Sequence, residues 1–352
     1  MHMRIYKIAV INLGSTSTKI AYYENENCLF KDNIVHTARA LEGFSTIWEQ
    51  FEFRKQAIEA YLKEKGILIS GLDAVVTRGG HTEPIVGGVY RITRKMLEQS
   101  ASEKYGNHAT DLGLKLAYEF SAQGPQAFTV DPPTTDEFEA LARYSGLPQI
   151  KRRSSFHVLN HRAAGRQYAK DSGKDYRDLN LVVIHMGGGI SIAAHKKGRL
   201  VDANNAIDGD GPFSTNRCCS VPIGDLIKMC YSGTYTYPEI RRLINGNAGL
   251  MAYVGENDVK TVEERAAAGD QACGEALDAM CYQIAKEVGA AATVLMGEVD
   301  AIVFTGGIAH SKRIVDSVSR RVSFIAPIAV YPGEYEMQSL GLNTLAALRG
   351  GE

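Results

Sequence analysis

Two short stretches hold the residue types that phosphate chemistry needs. NLGSTSTK, from Asn12 to Lys19, sets Gly14, the hydroxyls of Ser15, Thr16, Ser17 and Thr18, and a cation between two apolar runs. HMGGGIS places Gly187, Gly188 and Gly189 between His185 and another apolar run. Glycine weakens a strand interior, so such clusters mark a sharp turn or a close approach to the backbone. A glycine-tipped hairpin also presents backbone N–H groups outward, where they bind phosphate oxygens. FTGG, ending in Gly306 and Gly307, is a third turn after a strand. None of these is a P-loop or a dinucleotide fingerprint, since no G-x-x-x-x-G-K-[ST] occurs and no G-x-G-x-x-G follows a strand.

Charged residues near the turns fit the same chemistry. Arg78 lies just past an apolar run in TRGG, and Arg217 lies in the polar loop DGDGPFSTNR. Two guanidiniums suit a phosphoryl group in transfer and a carboxylate, because each binds planar oxygens bidentately. Asp131 ends a strand in FTVDPP, a position that serves a magnesium-directing or general-base carboxylate and equally a turn or cap. His108, His157 and His161 form no HExxH or His/Cys cluster at metal spacing, which argues against zinc.

The elements that position these residues read as α/β. Residues 4–13, 18–24 and 28–36 predict three strands, and 43–66 predicts a helix closed by Gly66. Residues 73–80 and 127–130 predict buried strands around a helix at 109–122. A further helix is predicted from Pro132 onward, with Thr134 and Glu137 at capping-box spacing. Residues 181–204 again predict three strands, followed by a helix over about 261–297, a strand at 300–307 and a closing helix. At an offset of 173 residues Asn12 falls on His185 and Gly14 on Gly187. The repeat predicts two similar domains with mixed sheets flanked by helices, and ligands favour the clefts that such pairs form. The domains expected are 1–155 with 328–352, and 156–327.

Composition bounds the rest. The 352 residues are 45% apolar and 22% charged, with a formal net charge of −1, so there is no electrostatic footprint for nucleic acid or anionic membranes. No stretch has the length of a membrane helix or the form of a secretory signal. Six scattered cysteines without a CxxC pair predict reduced thiols in a cytoplasmic protein.

With these motifs in this order, the chain resembles the acetate and butyrate kinase family, in the superfamily that also holds sugar kinases, actin and heat-shock chaperone ATPases. VINLGSTSTK is similar to that family's first phosphate motif, HMGGGISIA to its second and FTGGIAHS to its adenosine motif. RRSSFHVLNHRA and YPGEYEMQSLGLNTLAALRG read like its butyrate kinase members. The resemblance covers essentially the whole length and implies the actin-like ATPase (ribonuclease H-like) fold. It implies reversible, ATP-dependent phosphorylation of a short-chain carboxylate, butyrate first, with propionate, isobutyrate or valerate as alternatives.

Residue by residue, the resemblance puts Asn12, Ser15, Ser17 and Lys19 on the phosphates or the metal. Gly187, Gly188 and Gly189 follow as the second phosphate loop. Arg78 would lie near the carboxylate, and Arg217 and His185 near the transferring phosphoryl. Asp131 with Asn12 would organise Mg2+, and His108 and His157 would line the reaction centre. Gly306 and Gly307 would let adenosine approach the backbone. A magnesium glutamate of acetate kinases has no counterpart in the adenosine motif, which leaves Glu334 or Glu336 to replace it. Phe156 either walls the apolar end of the acid pocket or belongs to the core. The family also implies a homo-oligomer, a dimer or larger. A shape-switching ATPase fits less well, as no separate peptide-binding domain is expected, and a sugar kinase would need hydroxyl-binding residues that are not seen.

Overall fold

β1 (Lys7–Leu13) is buried from Ile8 onward, as a strand covered on both faces must be. It pairs antiparallel with β2 (Ser17–Glu24), which pairs antiparallel with β3 (Asn27–Val35). On its other side it runs parallel to β4 (Ala74–Thr77). β5 (Val89–Arg91) and β6 (Gln126–Val130) complete a sheet of order β3-β2-β1-β4-β6-β5. The computed structural model describes residues 4–350 and divides into two units, Met1–Asp136 with Tyr335–Glu352, and Glu137–Glu334.

In the first unit the helices are α1 (Ala38–Leu41), α2 (Phe51–Glu64), α3 (Arg94–Ala101) and α4 (Asp111–Ser121). Ala9, Ile11 and Leu13 of β1 pack with Phe51, Ile58 and Leu62 of α2 and Leu112, Leu116 and Phe120 of α4. Alternation along the strand leaves Ile8, Val10 and Asn12 for the opposite face. The last helix of the chain covers that face and contacts β1, β4 and β6.

The second unit repeats the plan. β7 (Asn180–Met186), β8 (Ile190–Lys196) and β9 (Arg199–Ala203) form an antiparallel meander. β10 (Ala301–Gly306) runs parallel to β7, and β11 (Ile328–Pro332) parallel to β10. Its order, β11-β10-β7-β8-β9, matches β6-β4-β1-β2-β3 strand for strand. Even the register irregularity recurs, between Tyr22 and Tyr23 in one meander and between Ala194 and His195 in the other.

The helices of this unit are α5 (Val158–Asp171), α6 (Ile223–Cys230), α7 (Tyr237–Ile244), α8 (Gly249–Val254), α9 (Val259–Ala267), α10 (Gln271–Val294) and α11 (Lys312–Val322). Leu181 and Val183 of β7 face Ala164 and Ala169 of α5. Val182, Ile184 and Met186 face Leu277, Ile284 and Val288 of α10. The chain returns to the first sheet as α12 (Glu336–Leu348).

Two expected elements differ. Residues 132–146 form no α-helix, only one 3₁₀ turn at Leu141–Arg143. Glu137 does not cap there; it is buried, takes the Arg162 guanidinium as partner, and accepts from the Leu200 amide at 2.8 Å. The helix expected over 261–297 is broken at Gly269, whose φ is +101°, and restarts where Asp270 accepts from the Cys273 amide. Between residues 80 and 109, where no element is expected, lie β5 and α3.

Candidate active site

Three parallel strand ends gather the first unit's candidate residues. Ile11 is level with Thr77, and Thr77 with Thr129. Asn12, Arg78 and Asp131 therefore emerge together at the carboxyl edge of β1, β4 and β6, where ligands of open α/β sheets bind. Lys19 is the cross-strand partner of Asn12, so its side chain shares the Asn12 face. Asp131 is 1% exposed and turns at φ +42°.

A residue from the far end of the chain completes this edge. Glu336 starts α12 and is buried. It accepts from Asn12 Nδ2 at 3.0 Å and pairs with Arg78 Nη1 at 3.2 Å. Glu334, the other acidic candidate, is exposed.

The hydroxyl turn lies beside a histidine pair. Ser15 Oγ is 3.4 Å from His108 Nε2. Fully buried Asp111 accepts the His108 amide at 2.8 Å, the His81 amide at 2.6 Å and His81 Nδ1 at 3.0 Å. Burial pushes the Asp111 carboxyl up, but the hydrogen bonds and charge of His81 outweigh it and hold the group below the usual carboxylate range. Burial, aided by the Arg78 charge, lowers the pKa of His108. A Cβ on Gly79 would lie 1.9 Å from the Thr110 carbonyl, so only glycine lets the chain after Arg78 pass α4.

The second unit's candidate residues centre on imidazoles. His185 ends β7 opposite Ser191 of β8, and its Nδ1 lies 2.8 Å from Asn160 Nδ2. The amide donates, so Nδ1 accepts and the ring proton sits on Nε2. That nitrogen lies against Gly187, where a Cβ would meet it at 3.3 Å. His157 precedes α5 and meets Ser191 Oγ through Nδ1 at 2.9 Å; His161 Nε2 meets the same hydroxyl at 2.8 Å. Burial and the neighbouring His195 and His185 keep His161 well below the ordinary imidazole pKa.

Arg217 presses against the glycine turn. A side chain at Gly189 would overlap its Nη1, at 2.2 Å from the Cβ. Nη1 donates to the Ala206 carbonyl at 2.7 Å, while Nε is buried with no partner. Burial lowers its pKa. Ser214 Oγ donates to the Gly188 carbonyl at 2.6 Å and accepts from the Arg217 amide at 3.2 Å, tying that loop to the turn.

A cavity of about 540 Å³ opens beside it, lined by Gly187, Gly188 and Gly307 with Asn257, Lys260 and Ser311. That volume is in the range of small-molecule sites. Gly306, at φ +89°, faces the Met186 carbonyl, which a Cβ would meet at 2.3 Å. Phe156 sits in a buried cluster with Phe138, Val158 and Leu200.

Asn12, Asp131 and Glu336 supply oxygen donors at one sheet edge. Among the described residues no group of three or more His, Cys, Asp or Glu forms a metal cage. This donor set fits Mg2+, which is held by one or two carboxylates with waters and phosphate oxygens. Sequence reading did not single out Asp111 and His81, nor Asn160 and Ser191, although the last two lie inside the RRSSFHVLNHRA and HMGGGIS stretches.

Residues 140–334 match the model described as the Acetokinase family. Over 348 residues the chain is 48% identical to butyrate kinase 2 of Clostridium acetobutylicum, covering 99% of this chain and 98% of that protein. A probable butyrate kinase of Bacteroides thetaiotaomicron is 48% identical over 346 residues, 98% of each chain. The crystal structure of Porphyromonas gingivalis acetate kinase matches with a TM-score of 0.81 over 97% of this chain and 100% of that one, at 21% identity. That likeness establishes the fold: the duplication is the one the repeat predicts, and the actin-like architecture is the one the resemblance implies. The chain belongs to the acetokinase family.

Proposed function

We propose that the protein is a butyrate kinase, transferring a phosphoryl group reversibly between ATP and the butyrate carboxylate. The observation that carries this reading is the 48% identity, along nearly the whole chain, to a protein named butyrate kinase 2. The chemistry of the site supports it. A carboxylate is already ionised at pH 7 and needs no strong base. The obstacle is to hold one anion against another in line, which positioned cations achieve.

Arg217, half-buried and with Nε unpartnered, serves the phosphoryl group in transfer together with His185. Arg78 serves the carboxylate; Ser15, Ser17 and Lys19 serve phosphate oxygens. His108 and His157 line the reaction centre. Gly187, Gly188 and Gly189 give the polyphosphate close backbone access, and Gly306 and Gly307 stand at the adenosine end. Asn12, Asp131 and Glu336 would hold Mg2+, which would supply positive charge to neutralise the phosphates. Transfer is direct, with inversion at phosphorus.

The protein works as a homo-oligomer in the cytoplasm. Ile223 and Ile227 of α6 and Tyr231 at its C-cap follow at four-residue spacing and are 74%, 53% and 88% exposed, which supports a second copy docking there. All six cysteines are free, which suits a reducing compartment. Sedimentation of an Ile223→Asp, Ile227→Asp variant tests this docking; an unchanged oligomer counts against it.

The enzymatic test traps acyl phosphate with hydroxylamine across straight and branched acids of two to six carbons. Butyrate is expected to give more hydroxamate than acetate. Neighbouring acids overlap, since one methylene is worth only about 1–3 kcal/mol in a pocket. No hydroxamate from any acid would overturn the reading.

A further inference from the structure

Arg54 lies on the buried face of α2 between Phe51 and Ile58 and is only 1% exposed. Its guanidinium reaches the hydroxyl turn from behind. Nη1 donates to the Gly14 carbonyl at 2.8 Å and to the Ser17 carbonyl at 3.4 Å, and Nη2 donates to the Ser15 carbonyl at 2.7 Å. Nε donates to Gln50 Oε1 at 3.0 Å. Every acceptor is neutral, and burial lowers the arginine's pKa with no acidic neighbour to offset it. A buried cation without a counter-ion is costly, so packing alone does not account for an arginine here.

Peptide geometry shows what the contacts accomplish. In a trans peptide the carbonyl and the following N–H point to opposite sides, and the peptides after Gly14 and Ser15 are trans. With both carbonyls drawn to Arg54, the N–H groups of Ser15 and Thr16 point away from it. Both residues are exposed, so these N–H groups face the solvent side of the turn, where successive backbone donors suit an anion.

We propose that Arg54 is a positioning residue for phosphate: it fixes the two peptide planes whose N–H groups bind phosphate oxygens, and the bound anion supplies the counter-charge that Arg54 lacks. This rests on the reading of the turn as a phosphate site. Arg54 itself touches no substrate. Its effect passes through the backbone and through its charge, which also helps lower the pKa of His108.

The test uses the full chain with inorganic phosphate as the probe. Thermal unfolding with and without phosphate, and kcat/KM in the hydroxamate assay, are measured for wild type, Arg54→Lys and Arg54→Ala. Phosphate is expected to raise the wild-type Tm and to lose that effect in Arg54→Ala. A kcat/KM loss of roughly a hundredfold is expected there, the scale of losing one preorganised donor. Guanidinium chloride well below denaturing concentration restores part of it.

If Arg54→Ala does not fold, Arg54→Lys decides. It keeps the charge but not the planar fork, and is expected to show a weakened phosphate response and roughly tenfold lower kcat/KM. Folded variants with an intact phosphate shift and unchanged kcat/KM would overturn the proposal and leave Arg54 a structural clamp. A wild type that makes no hydroxamate sinks the kinase reading separately, because the phosphate shift is read without any acid present.

Discussion

The imidazoles of His157 and His185 stack face to face, with ring centroids 3.9 Å apart and planes 17° from parallel. One ring precedes α5 and the other ends β7, so the stack joins a helix start to a strand end. Ser191 holds the first and Asn160 the second. Replacing either partner releases one ring of a shared unit. Ser191→Ala and Asn160→Ala are each expected to lower kcat roughly tenfold, with coupling of about 0.5–3 kcal/mol between them as residues of one network. A double-mutant cycle on kcat measures this, and strict additivity would count against the stack acting as a unit.

Gly189 and Arg217 occupy space that only one side chain can fill. Gly189→Ala is expected to displace the guanidinium and to reproduce the activity loss of Arg217→Ala, roughly a hundredfold. Gly188 has open space where its side chain would be, so Gly188→Ala serves as the control with a smaller loss. Equal losses in the two alanine variants would show that the turn, rather than the arginine, is sensitive.

Acid lability should trace to two buried imidazoles. His195 is fully buried with Nε2 unpartnered, and burial takes its pKa down to about 3; His161 is shifted in the same direction. Unfolded, each titrates near the ordinary value of about 6.5. Below that pH the unfolded chain takes up protons that the native state refuses, so stability is full above about pH 6.5 and falls on acidification. Each histidine contributes a slope of about 1.4 kcal/mol per pH unit between its two pKa values. Urea unfolding at pH 7.5 and 5.5 is expected to differ by about 2–3 kcal/mol, and His195→Gln removes about half of that. A pH-independent midpoint would refute this.

Asp111 anchors two histidine backbones and one imidazole from a site with no exposure. Asp111→Ala is expected to cost about 3–5 kcal/mol of stability, the scale for breaking a buried pair. Asp111→Asn keeps part of the hydrogen bonding and should cost less. Chemical denaturation of the two variants checks the order.

Glu336 joins Asn12 and Arg78. Glu336→Gln keeps the shape but removes the charge, and is expected to raise the magnesium needed for half-maximal activity roughly tenfold, the lower end of what perturbing a metal shell does. A magnesium titration at saturating ATP reads it. An unchanged midpoint would restrict Glu336 to positioning Arg78.

Much of this was legible from residue order. The two glycine turns lie at the same offset because each follows the first strand of one meander, and strand patterning is local. Glu336 was within reach as one of two acidic candidates, but only the return of α12 to β1 selects it. Asn160 and Ser191 lie inside quoted motifs, but an asparagine in a helix and a serine in a strand acquire their role only from the imidazoles they meet. Arg54 did leave a trace. It stands on the Phe51–Ile58–Leu62 stripe of α2, where a charge among buried apolar positions calls for a partner. The helix expected at 132–146 failed because Glu137 takes long-range partners, which outcompete a local cap.

The first unit is discontinuous along the chain: its sheet is laid down before the second unit, and α12 only after it. During synthesis from the N-terminus, the β1 face carrying Ile8, Val10 and Asn12 emerges uncovered and stays so until the whole of the second unit has followed. Arg78 has no Glu336 to pair with for the same interval. A ribosome-bound chain halted before residue 335 therefore holds the 12–19 turn and Arg78 but lacks the carboxylate that closes the edge. That edge is completed only when α12 is made, and the exposed face is a surface that chaperones would meet first.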